Sequence, residues 1–183
     1  DMGTVYTLDK TTGEVAVVRS DIRNCGQFYL GSVGIFAGYV DRVTIADCTI
    51  TDLPYSAISM GWGWGEEDAG GGSYLTPYLY AAPTPAGANR IEGNRISRVM
   101  TRLNDGGAIY TLGSMPGTVI QRNRIEATGP GWPGGIYLDE GSACIEVVDN
   151  VLREIPKPFH VNNRKQDRYR TCLFMGNDPS PEL

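Results

Sequence analysis

Asp139 and Glu140 stand together near the end of the stretch GGIYLDEGS (134–142), after an apolar, strand-like run and before Gly141. A third carboxylate, Asp105, lies in LNDGGAIYTLG (103–113), ahead of two glycines, and the chain's one histidine, His160, lies in PFHVNN (158–163). Carboxyl groups held in pairs do general acid–base work: one gives up a proton while its partner stays ionised, and a nearby imidazole or phenol adjusts the exchange. Each group also has an ordinary explanation. Asp139 and Glu140 can be a polar strand end meeting water, and an aspartate before glycines is a common turn former. The choice rests on the elements that position them.

Those elements repeat. Four segments align without gaps: VTIADCTITDL (43–53), NRIEGNRISRV (89–99), TVIQRNRIEAT (118–128) and IEVVDNVLREI (145–155). Each carries an apolar residue (Ile45, Ile91, Ile120, Val147), then Cys48, Asn94, Asn123 or Asn150 three positions on, then Ile50, Ile96, Ile125 or Leu152 two further on. A fainter copy places Val17, Ser20 and Ile22 in the same slots, and CLFMGND near the end opens another. After each copy comes a second short strand: VGIFAG, SAISMG, GAIYTLG, GGIYLDEG and PFHVNN. Alternation is of period two, and helical periodicity and capping signals are missing. A repeat of about 27 residues cannot bury its apolar face alone but can do so stacked on copies of itself. The expectation is all-β: a right-handed parallel β-helix of about six coils, forming a single domain over 1–183, with inward ladders of Ile and Val. The asparagines at 94, 123 and 150 are expected to stack at a turn and to do no chemistry.

Composition agrees. Among 183 residues, 24 are glycine and 11 proline, a turn-rich balance that still keeps enough branched aliphatics for a core. The net charge of -5 argues against a nucleic-acid partner, which needs clustered Lys and Arg. No apolar run approaches the ~18 residues of a membrane helix. Four cysteines, at 25, 48, 144 and 172, lack C-x-x-C spacing and read as small hydrophobes and not as a disulfide frame or zinc site. The chain starts at Asp1 without a signal-peptide pattern, so it reads as a processed or cut-down product, possible fragment status included.

Function belongs where the repeat is interrupted or where outward side chains line up. An insertion, GWGWGEEDAGGGSYLTPYLYAAPTPAGAN (61–89), carries Trp62, Trp64, Tyr74, Tyr78 and Tyr80 among Gly and Pro. Flat aromatics beside polar groups suit a sugar ring, although some can equally plug the side of the solenoid. Its acidic tip at 65–72 lacks calcium-loop spacing, so no metal or other cofactor is expected. In the second strands, if Ile109, Ile136 and Phe159 point inward, Tyr110, Tyr137 and His160 form one outward column, with Asp139 and Asn162 two residues on in the next. Asp139 and Glu140, as strand neighbours, point to opposite sides unless Gly141 bends the chain. The partner of Asp139 therefore comes from another coil, and Asp105 is the candidate. Straight strands would leave them roughly 20 Å apart, so only a sharp turn at Gly106–Gly107 brings them together.

LPYSAISMGWGWG, LNDGGAIYTLGSMPGTVIQRNRI, GGIYLDEGS and PFHVNN together resemble bacterial parallel β-helix proteins of the carbohydrate-active kind, and specifically family 141 glycoside hydrolases and their relatives. The similarity runs from about Val40 to Gly176. It implies hydrolysis of glycosidic bonds in a plant-type polysaccharide or oligosaccharide, a secreted or periplasmic location, and a groove with two acidic residues. Carried over motif by motif, these are Asp105 of DGG and Asp139 of DEG, with Glu140 in reserve for the acid. Phe159–His160 matches the family's Phe–His pair, and Asn162 stands where relatives often have a second histidine. Tyr110, Tyr137, His160, Asn162, Trp62 and Trp64 are the expected substrate contacts. Members of that family are much larger than this chain.

Two other readings remain open. A non-catalytic carbohydrate-binding, adhesin or phage-spike solenoid would keep the aromatics without needing an acid pair. A polysaccharide lyase would need a base and a cation near a uronate, and the second strands as read hold no Lys or Arg. The open ends of a solenoid, without strong caps, also favour end-to-end association or a missing flanking domain.

Overall fold

The computed structural model describes residues 12–61, 86–162 and 172–179. Among them every named element is a β-strand, and every strand pairing is parallel. The strands fall into three long sheets. The first stacks Ala16–Val18, Thr44–Ala46, Arg90–Glu92, Ser114–Gln121, Ala143–Val148 and Leu173–Met175. The second stacks Asp21–Arg23, Thr49–Thr51, Arg95–Ser97, Arg124–Glu126 and Val151–Arg153. The third stacks Ile35–Ala37, Ile58–Gly61, Gly106–Leu112, Pro133–Leu138 and Lys157–Val161. The chain visits the sheets in rotation, an arrangement consistent with a parallel β-solenoid. A short pair, Thr12–Gly13 with Val40–Asp41, adds to one corner. No helix among the described residues is long and apolar enough to cross a membrane.

The repeat in the sequence becomes register in space. Val17, Ile45, Ile91, Ile120, Val147 and Phe174 are successive partners in the first sheet. Ile22, Ile50, Ile96, Ile125 and Leu152 are partners in the second, and Ile35, Ile58, Ile109, Ile136 and Phe159 in the third. The central members of all three ladders are fully buried and form one continuous core. Each isoleucine removed from water there contributes about 1.5–3 kcal/mol. The four cysteines are free, Cys48 buried and the other three half-buried.

The corners explain the asparagines. Before the second sheet the chain turns through one left-handed residue per coil: Arg19, Asp47, Gly93, Arg122, Asp149 and Gly176. The residue after the turn points its backbone N–H along the stack. Asn94 Oδ1 accepts the N–H of Cys48, Asn123 Oδ1 that of Asn94, Asn150 Oδ1 that of Asn123 and Asn177 Oδ1 that of Asn150, each at 3.0 Å. Each amide also donates from Nδ2 to a carbonyl of the coil below, those of Ile45, Ile91, Ile120 and Val147. Asn177 extends the ladder expected at 94, 123 and 150, and CLFMGND does open a further copy. Its strand, Leu173–Met175, is exposed at every position.

The insertion lies mostly outside the described residues. Trp62, Trp64, Tyr74, Tyr78, Tyr80 and the acidic stretch 65–72 all fall in the undescribed part, so the expectations attached to them are not placed here.

Replacing Asn123 by Ala removes the acceptor for the Asn94 N–H and the donor for the Ile91 carbonyl, both buried. Each orphaned group costs about 1–3 kcal/mol, so urea unfolding is expected to show a loss of about 2–4 kcal/mol. Glu146→Ala, on an exposed strand position, is expected to stay within about 0.5 kcal/mol of the parent.

Candidate functional site

The third sheet carries the site. Tyr110 pairs with Tyr137 and Tyr137 with His160, so the expected column forms, and it continues through Ser59 to Phe36. The rings touch: Tyr110 and Tyr137 meet edge to face at 5.2 Å, and Tyr137 and His160 lie 4.7 Å apart. Outward-facing does not mean exposed here. Tyr137, His160 and Asp139 are 2%, 8% and 6% exposed, because the aromatic groups cover one another and Trp132 lies 4.8 Å from His160.

Asp139 and Asn162 occupy the neighbouring column as expected. The Tyr110 hydroxyl donates to Asp139 Oδ2 at 2.5 Å, and Asn162 Nδ2 donates to Oδ1 at 2.8 Å. The backbone holds the carboxylate in place: Asp139 N–H donates to the Thr111 carbonyl, and its own carbonyl accepts from Ser142.

Asp105 does come back to this column. Tyr137 donates from its hydroxyl to Asp105 Oδ1 at 3.3 Å, while the same phenol also feels the charge and hydrogen bonding of Asp139. One phenol thus donates its single proton to Asp105 while feeling the charge of Asp139. Gly106 and Gly107, expected to make a sharp turn, lie instead within the continuous strand Gly106–Leu112, and what marks them is close packing against neighbouring coils. A Cβ on Gly107 would come within 2.9 Å of the Ile109 carbonyl oxygen and 2.4 Å of that of Gly135. One on Gly106 would come within 2.7 Å of the Tyr55 ring. Only glycine leaves room for this close packing. Asp105 takes the left-handed conformation, φ 58°, that aspartate tolerates better than most residues. Its carbonyl accepts from Tyr55 Oη at 2.7 Å and its N–H donates to the Trp132 carbonyl at 2.8 Å. The Asp105 carboxyl itself is exposed.

Glu140 takes no part. It is half-buried, and its backbone carbonyl accepts from the Gly113 N–H, but its side chain makes no hydrogen bond or ion pair with the described residues. Gly141 does turn, at φ 76°, yet this does not bring Glu140 to Asp139's partners.

Three residues that the repeat pattern did not single out join the site. Trp132 sits in register with Asp105, 47% exposed, its N–H donating to Asn104 Oδ1. Lys157 heads the last third-sheet strand, which overturns the expectation that these strands carry no cation. Its Nζ lies 2.7 Å from His160 Nδ1 and 5.1 Å from the centre of the Trp132 ring. An ammonium can only donate, so Nδ1 accepts and a neutral imidazole carries its proton on Nε2. Tyr55 completes the set. The signal was present in the strand register, which sets Asp105 beside Trp132 and Gly134 beside Lys157, but a tryptophan and a lysine break the pattern rather than repeat it. Among the described residues no cluster of three His, Cys, Asp or Glu side chains is placed to hold a metal ion.

No protein-family model and no curated sequence matches the chain. A solved structure described as a glycoside hydrolase superposes on it with a TM-score of 0.74 and 25% identity, over 94% of this chain. The chain spans about a quarter, 26%, of that protein's length.

Burial, then the adjacent Asp139 carboxylate, pushes the phenols of Tyr110 and Tyr137 well above the ordinary tyrosine range, and burial with Asp105 and Asp139 raises Tyr55. These phenols stay neutral donors. A raised pKa stabilises the fold below the unfolded phenol value of about 10, and that contribution is lost as pH rises beyond it, when unfolded tyrosines ionise and these do not. In a spectrophotometric titration of the ten tyrosines, Tyr110 and Tyr137 are expected to ionise only on alkaline unfolding. Tyr110→Phe should therefore leave the native tyrosinate step unchanged and shrink only the unfolding step.

Proposed function

We propose that this chain carries the carboxylate pair of a glycoside hydrolase acting on a plant-type polysaccharide, displayed on the flank of a right-handed parallel β-helix of about six coils. The observation that carries this reading is the sharing of the Tyr137 phenol by Asp105 and Asp139. The phenol's 3.3 Å hydrogen bond to Asp105 and its electrostatic contact with Asp139 gather both carboxyls around one oxygen, as the chemistry of a glycosidase requires of its acid pair. The glycoside hydrolase superposition supports the same chemistry.

The surroundings assign the roles. Both oxygens of Asp139 accept hydrogen bonds, from Tyr110 and Asn162, which suits the ionised partner. Asp105 is exposed and commits only Oδ1, leaving Oδ2 to carry a proton to the leaving oxygen. As the C1–O bond breaks, that proton goes to the departing sugar, while water adds its hydroxyl to C1 and gives its other proton to Asp139. The residue following each cleavage is a free reducing end. Lys157 and His160 sit together on one side of the Trp132 indole, since their nitrogens are 2.7 Å apart. The ring is itself 47% exposed, which leaves surface on which a sugar can stack.

Lys157 also favours a second reading, a lyase. There the cation would sit near a uronate carboxylate, a base would take the C5 proton, and the C4–O bond would break to leave a C4–C5 double bond. The products separate the two: reducing sugar without absorbance near 235 nm supports hydrolysis, and an unsaturated chromophore supports elimination.

Asp139→Asn and Asp105→Asn are each expected to lower kcat about 10²–10⁴-fold with an unchanged thermal melt. A wild-type protein that binds glycans but turns none over would instead support the non-catalytic solenoid. Trp132→Ala is expected to raise KM about tenfold with a smaller effect on kcat, read from initial rates on a soluble oligosaccharide.

A further inference from the structure

A cleft of about 530 Å³ opens at the corner after the second sheet, away from the phenol that joins the carboxylates. Asn24, Gln27, Asp52, Arg98, Thr101 and Arg102 give it a polar wall, with Leu30, Pro54 and Ala127 as its apolar part. Of its two cations, one is committed. Arg98 holds Asp52 with two hydrogen bonds, Nε to Oδ1 at 2.6 Å and Nη2 to Oδ2 at 2.7 Å, and with Thr51 it keeps that carboxyl down to about 2. The Arg102 guanidinium is exposed and makes no ion pair or hydrogen bond with any described residue.

Between the lining residues Gln27 and Leu30 the chain displays Phe28 and Tyr29, 96% and 82% exposed. Adjacent aromatics left so bare on a folded surface mark a contact site. They are presented by a closed turn and not by a loose loop. The Ser32 N–H donates to the Tyr29 carbonyl at 2.9 Å, Gln27 Nε2 reaches the Cys25 and Asp52 carbonyls, and Gly26, at φ 73°, sits against Pro54. Stacking rings at the rim, hydroxyl-matching amides on the wall and one uncommitted guanidinium together fit a carboxylated or sulfated sugar. The ring stacks on an aromatic face, and Arg102 takes its anionic group through a bidentate contact.

The geometry points to this cleft as a second binding site for an anionic polysaccharide, separate from the carboxylate pair. The segment that supplies Arg98, Thr101 and Arg102 runs directly on to Asp105, and Pro54 precedes the Tyr55 that fixes the Asp105 carbonyl. The cleft is therefore linked through a few residues of backbone to one of the two carboxylates. With a net charge of -5, the chain as a whole repels a polyanion, so any retention must come from a local site.

Affinity electrophoresis of the full chain through gels containing polygalacturonate, a sulfated galactan or a neutral β-glucan tests this. Retardation by an anionic polymer, with the apparent Kd weakened at least about fivefold by Arg102→Gln and by Tyr29→Ala, is expected. The two anionic gels separate carboxylate from sulfate as the recognised group. Three results overturn the proposal: no retardation by either polyanion, retardation that both substitutions leave unchanged, and equal retardation by the neutral glucan. A shift of sedimentation coefficient in Phe28→Ala, with retention untouched, assigns the aromatics to a protein partner and also overturns it. Failure of the hydrolase reading appears elsewhere, as wild-type protein that releases no sugar, and leaves this retention assay intact.

Discussion

Satisfying one buried N–H per coil, at the corner before the second sheet, is the constraint on which the rest of this structure depends. A chain that turns through a single left-handed residue leaves the next amide pointing along the stack, inside the protein, where an unpaired donor costs about 1–3 kcal/mol. The asparagine of the neighbouring coil is the group that removes that cost, and it can do so only if the coils are in one register. A slip of one residue would unpair the whole column and turn every inward isoleucine outward. The ladder from Cys48 to Asn177 therefore does more than hold turns. It fixes which side chains face outward, including those a coil or two away from any asparagine.

The outer face of the third sheet exploits that register. In the third sheet the inward ladder keeps Ile58, Ile109 and Ile136 buried, so the intervening positions stack outward at about 4.8 Å per coil. Tyrosine at these positions solves a particular problem. Two carboxylates a few ångströms apart repel, and a cation between them would quench both. A phenol whose ionisation is suppressed by burial and by the carboxylate itself offers a donor with no charge. Tyr110 and Tyr137 thus hold Asp139 and Asp105 without neutralising either, and Lys157 is directed to His160 and Trp132 instead.

What the sequence made legible follows the same division. The three ladders, the asparagine column and the tyrosine–histidine column are all periodic, and periodicity is what a one-dimensional string preserves. The return of Asp105 was not legible, because it depends on how closely Gly107 approaches the Gly135 carbonyl and Gly106 the Tyr55 ring, contacts between coils with no signature beyond two glycines. Trp132 and Lys157 were missed for a related reason: each is a single departure from a repeat. Counting along the string left Glu140 as a reserve acid, whereas its side chain engages none of the groups that gather around Asp139.

The site is also local in the chain. Its carboxylates come from adjacent coils, and the residues that orient them, Tyr55, Tyr110, Trp132, Tyr137 and Asn162, lie within one coil on either side. A solenoid permits this because each coil contacts chiefly its neighbours, so a short run of coils can hold a whole constellation. That is why a chain spanning 26% of a glycoside hydrolase's length can still be read for chemistry. The shared backbone course fixes only where side chains stand. Which of them come together depends on the close packing at two glycines and on a phenol that meets both Asp105 and Asp139.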